Sequence, residues 1–125
     1  MRMVKAANPQ PEDWLPLTPA MFHILLALAD KERHGYHIMQ EVDERTEGTV
    51  KLGPGTLYGS IKRMVTDGLV EELEERPDPE LDDERRRYYR LTDFGFRVAR
   101  AEALRLEQMV KSARAKKLLP RTKTS

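Results

Sequence analysis

The chain has 125 residues and a net charge of +1, although 34% of its residues are charged; it reads as one domain whose overall charge selects no partner. It has no cysteine, which excludes a disulfide framework and thiolate metal or redox chemistry. No apolar run approaches a membrane span, and the opening MRMVKAANPQPEDW lacks the apolar core of a signal peptide, so a cytoplasmic location is the expectation.

Residues 1–17 read as a proline-interrupted extended arm, with Pro9, Pro11 and Pro16. Trp14 and Leu15 are expected to dock on the body or on a partner chain; Trp14 stacking on a ligand is the sharper alternative. Thr18-Pro19 caps a helix that runs to about Asp30. Met21, Ile24, Leu25 and Leu28 form one apolar face, and Phe22, Leu26 and Ala29 a second. Such a helix is central, with part of it left for a second subunit. After the polar connection Asp30–Arg33, His34-Gly35-Tyr36 opens a second helix that ends near Gly48. His34 and His37 stand three apart, but no carboxylate or third histidine has ligand spacing, which favours a structural or solvated role over a metal site. Thr49–Leu52 is expected to form a short strand.

The stretch LGPGTLYGSIKRMVTDG, residues 52–68, organises the chain. Pro54 suits a first helical turn, and Gly68 suits a left-handed cap. Leu57, Ile61 and Met64 share one face, with Val65 on its edge. The opposite face carries Gly55, Thr56, Gly59, Lys62, Arg63 and Thr66, with no acid and no bulky apolar group. Small, hydroxyl and basic residues on a half-buried helix suit a DNA major groove, with Gly59 allowing close approach. An ordinary amphipathic helix with a solvated face is the bland alternative.

Leu69–Glu74 alternates apolar and polar residues, as does Arg87–Leu91, and the two strands make a hairpin. Between Glu71 and Glu84 nine acids (71, 72, 74, 75, 78, 80, 82, 83 and 84) face Arg76 alone; Arg85, Arg86, Arg87 and Arg90 follow. Thr92 caps a last helix expected to reach about Leu119. Phe96, Ala99, Ala103, Leu106, Val110 and Ala113 recur at alternating spacings of three and four. That heptad seam predicts a homodimer; folding back on the same chain is the alternative. Phe22 and Leu26 are expected to join the dimer interface. Trp14, Phe22, Leu26 and Phe96 are the candidate lining of a small aromatic effector site, and the same residues fit a packed interface without a pocket.

The expected fold is therefore mainly α with a small β-hairpin. A winged helix-turn-helix domain (18–91) is followed by a dimerisation helix (92–119) and a basic, disordered tail (120–125). No Gly-rich phosphate loop, nucleophile motif or metal constellation argues for an enzyme, and no cofactor is implied.

Three motifs in this order, His34-Gly35-Tyr36, Gly55-Thr56-Leu57-Tyr58 and Arg86-Arg87-Tyr88-Tyr89-Arg90-Leu91-Thr92, resemble the PadR family of bacterial transcriptional regulators. The resemblance covers about Leu17 to Gly95, and the single C-terminal helix is similar to that of the shorter members. It implies a winged-helix dimer that usually represses transcription by binding an inverted repeat in double-stranded DNA, often relieved by a small molecule. By the same resemblance, Thr56, Tyr58, Lys62 and Arg63 would contact DNA, Tyr36 would approach the phosphate backbone, and Arg86 and Arg87 would lie on the wing strand. Base reading is expected from Thr56, Arg63 or Thr66. Gly59 stands where the family often has proline, and Asp82-Asp83-Glu84-Arg85 replaces its usual entry into the second wing strand. Carboxylates there repel phosphate, so either Arg85–Arg87 offset them or the wing tip points away. A winged-helix module that binds protein rather than DNA is the alternative function, and salt dependence separates the two.

Overall fold

The computed structural model of the chain describes residues 8–73 and 87–120. In chain order these form a 3₁₀ turn (Pro11–Trp14), α1 (Pro19–Leu28), β1 (Arg33–His34), α2 (Gly35–Arg45), α3 (Pro54–Thr66), β2 (Val70–Leu73), β3 (Tyr88–Leu91) and α4 (Asp93–Ala115). The fold is mainly α with a small antiparallel sheet ordered β1-β3-β2: a winged helix-turn-helix with a long helix appended.

The Thr18 hydroxyl accepts the Met21 N–H, and Pro19 occupies the first helical turn, so α1 starts where its sequence directs. Ile24, Leu25 and Ala27 of α1 are fully buried with Ile38 and Val42 of α2, Leu57 and Met64 of α3, Leu69, and Val98 of α4. The helix is thus the axle of the core. Its second apolar face is only partly covered: Phe22 is half-buried, and Leu26 and Ala29 are exposed.

Three elements differ from the sequence reading. The sheet has a third strand, because Arg33 pairs with Tyr89 and His34 with Tyr88. Arg33 Nε donates to the Ala27 carbonyl at 2.7 Å, which draws the polar connection back along the sheet edge. Residues 49–52 form no strand. The Val50 N–H donates to the Thr46 hydroxyl, and that hydroxyl donates to the Val42 carbonyl, so the segment closes on the end of α2. α4 stops at Ala115 rather than near Leu119. Lys117 adopts φ +67°, and the N–H groups of Lys117 and Leu118 return to the carbonyls of Arg114 and Ala113, a Schellman end. α3 ends in the same way through Gly68 at φ +82°. The acidic loop with Arg85 and Arg86, and the basic residues after Pro120, lie outside the described residues.

α4 is locked to the winged-helix body at its first turn. The Thr92 hydroxyl accepts the Gly95 N–H at 2.9 Å and donates to the Gly68 carbonyl at 2.6 Å. Gly95 sits against the Leu69 carbonyl so closely that a β-carbon there would overlap it. Beyond that turn Gly95, Val98, Ala99 and Glu102 form the buried stripe. Glu102 is the surprise of this stripe. Its Oε2 accepts the Leu17 backbone N–H at 3.0 Å, and Arg105 Nε donates to Oε1 at 2.6 Å. Leu17, at the end of the arm, is thereby fastened to α4.

Candidate nucleic-acid interface

α3 presents the face that its sequence outlines. Leu57, Ile61 and Met64 are buried, while Gly55, Thr56, Gly59, Lys62, Arg63 and Thr66 are all exposed. Nothing approaches Gly59 within 4 Å, so the centre of the face is open. Tyr58 is half-buried at its edge. A β-carbon on Gly35 would overlap the Tyr58 hydroxyl and ring, so the glycine that opens α2 makes room for a tyrosine of α3. Sequence reasoning missed this pairing because the two residues belong to different motifs, 23 positions apart.

Two structures flank the face. On the sheet side, Lys62 and Thr66 share a hollow with Glu72 and Arg87. Arg87 pairs with Glu72 at 3.5 Å, and Arg90 pairs with Glu71 at 2.6 Å across the strands. The described wing arginines therefore stand beside β2 carboxylates rather than as bare cations. On the other side, Arg63 shares a hollow with Asp13, Trp14 and Asp67. Trp14 Nε1 donates to Asp67 Oδ2 at 3.3 Å, and its ring meets Phe94 edge-on at 5.0 Å.

Tyr36 is the second residue of α2 and half-buried. His34 is buried; it caps α2 by accepting the His37 N–H on Nδ1, and its ring lies 3.7 Å from that of His37. The pair thus has a structural task, and among the described residues no group of three or more His, Asp or Glu could hold a metal ion. Tyr88 and Tyr89 face opposite sides of the sheet as adjacent strand residues must; Tyr89 is in the core, and Tyr88 meets the His34 ring edge-on.

Along the seam of α4, Ala99 is buried against the chain's own body, Leu106 and Ala113 are half-buried, and Phe96, Ala103 and Val110 are exposed. Phe96 lines a hollow with Leu28 and Ala29, whereas Trp14 lines the one beside α3, so the candidate effector residues are not gathered in one cavity of the single chain.

A winged helix-turn-helix that exposes an acid-free, basic helix face defines a DNA-binding transcriptional regulator. The pattern of the Transcriptional regulator PadR-like family matches residues 24–101, and the chain belongs to that family. It is 34% identical over 89 residues to the transcriptional regulator Rv3488 of Mycobacterium tuberculosis, covering 71% of this chain and 77% of that protein. A PadR family transcription regulator from Clostridium difficile R20291 superposes with a TM-score of 0.65 at 26% identity, covering 78% of this chain and 97% of the other. RosR of H. salinarum superposes with a TM-score of 0.58 at 31% identity, covering 80% of each. The chain spans 63% of the length of one further relative and 22% of another. The family consists of regulators rather than enzymes. Among the described residues no helix is long and apolar enough to cross a membrane.

Proposed function

We propose that the chain is a homodimeric, sequence-specific repressor that reads an inverted repeat in double-stranded DNA with α3. The observation that carries this reading is the exposed face of α3, which holds Thr56, Lys62, Arg63 and Thr66 around the open centre at Gly59. Lys62 and Arg63 supply cations for phosphates or guanine edges. Tyr58, at the edge of that face, and Tyr36, in the first turn of α2, would contact the backbone, and Arg87 would add a contact from the wing. Arg63 is the first choice for base reading, since arginine to guanine is the commonest specific contact.

A second copy is supported by the apolar surface left on α1 and α4. Leu26, Phe96 and Val110 are 37%, 48% and 40% exposed. A two-fold partner covering them would bring two α3 helices to successive major grooves, about one turn apart. A small aromatic effector that relieves repression would enter at this seam near Phe22, Leu26 and Phe96. Trp14, held by Phe94 and Asp67, is better suited to report such binding than to line the site.

The test is selection of bound duplexes from a random pool, followed by anisotropy titration of the winner at several salt concentrations. An enriched inverted repeat, bound more weakly as salt rises, is the expected result. No enrichment with salt-insensitive binding would reject it in favour of a protein-binding module.

A further inference from the structure

We infer that Trp14 is a positioning residue for Arg63: its indole N–H holds the Asp67 carboxylate on the arm side of α3 and leaves the arginine able to reach DNA. The inference rests on the reading of α3 as the DNA-contacting helix. Arg63 lies in the last turn of α3, and Asp67 is the C-cap four residues on. Opposite charges four apart on a helix lie within ion-pairing reach of one another. These two line one hollow and yet do not pair. Among the described residues no carboxylate forms an ion pair with Arg63. Asp67 Oδ2 instead accepts the Trp14 indole N–H.

The indole is itself anchored. Its ring packs edge-on against Phe94 in the first turn of α4, and three residues later the Leu17 N–H is fixed by the buried Glu102. The donor is therefore held at a fixed place rather than following the carboxylate. An Asp67 side chain that swung to Arg63 would neutralise that cation and occupy the N–H groups that a guanine edge or phosphate needs. A neutral donor prevents this without placing a second cation beside the face. The family match begins at residue 24, so Trp14 lies outside the matched span while Asp67 and Phe94 lie within it.

The experiment is an epistasis test on the full chain, reading affinity for its selected duplex by anisotropy at one salt concentration. Trp14→Phe keeps a ring against Phe94 and deletes the N–H. It is expected to weaken binding about two- to five-fold, the scale of one helix-surface ion pair or one hydrogen bond. Asp67→Asn alone is expected to bind at least as tightly as the wild type. The double variant is expected to return to the Asp67→Asn level, because an amide cannot ion-pair with Arg63; a purely structural role for Trp14 would not be rescued in this way. An unchanged Trp14→Phe, or a loss that persists in the double variant, overturns the inference. Arg63→Ala separates the two levels of argument. If it binds like the wild type, Arg63 is no DNA contact and the reading beneath the inference fails; if it is weakened while Trp14→Phe is not, the inference alone fails. In the free protein, the Trp14 indole N–H resonance is expected to move on Asp67→Asn, and an unmoved resonance also overturns the proposal.

Discussion

Glu102 holds a charge at a position only 2% exposed, within a stripe otherwise built of Gly95, Val98 and Ala99. A buried carboxylate persists only when its oxygens are paired, and here the Arg105 guanidinium and the Leu17 N–H pair them. The Arg105 hydrogen bonds, more than any other influence, hold its carboxyl below the ordinary value of 4.5; burial pushes the other way, and the Leu17 N–H adds to the lowering. Glu102→Ala leaves the Leu17 N–H without its acceptor. It is expected to cost about 1–3 kcal/mol in urea unfolding, with the arm released. The depressed carboxyl fixes the sign of the pH effect. Its contribution is fully present above 4.5 and is lost as pH falls through the lower folded value. The stability gap between wild type and Glu102→Ala should therefore narrow in acid, as urea midpoints measured across that range would reveal. Arg63→Ala belongs to the same scale but to the other surface. It should weaken binding by about 1–3 kcal/mol and relax preference at one position if it reads a base. Uniform weakening across all duplexes would instead mark a phosphate contact.

At the scale of elements, the junction of α3, β2 and α4 has the least tolerance. Gly68 turns the chain at φ +82°, Thr92 bonds to its carbonyl, and Gly95 lies on the Leu69 carbonyl. The obstacle at Gly95 is backbone, which cannot rotate aside as a side chain can. Gly95→Ala should thus destabilise by about 1–3 kcal/mol or prevent the docking of α4, as a lowered thermal midpoint would show. Gly35 offers a contrast, because what crowds it is the Tyr58 side chain. Gly35→Ala should displace Tyr58 and lower DNA affinity more than stability; an unaltered affinity would remove Tyr58 from the contact surface.

At the scale of the molecule, α4 extends well past the buried stripe that ends at Glu102. Met109 and Val110 are 56% and 40% exposed on the part beyond it. In the proposed dimer a second copy would bury the apolar side of this helix end. Val110→Glu should shift the chain from dimer to monomer in sedimentation equilibrium while its helical circular dichroism persists, since the body's own core is untouched. A dimer that survives the change would place the interface elsewhere.

The sequence by itself determined where the four helices begin, how α3 ends and the two faces of α3. Those properties depend on residues three or four apart, and capping needs only neighbours: Thr18, Thr92 and Gly68 act within one turn of where they stand. The family motifs were legible for the same reason, as short runs in fixed order. Only the tertiary structure decided which strand borders β3, because Arg33–His34 is too short to show a period of two and its partner lies more than 50 residues away. Tertiary contact also made Glu102 an anchor for Leu17 across 85 residues and brought Trp14 to Asp67 across 53. A lone acid or tryptophan carries no mark of a partner so distant in the chain; packing alone selects it.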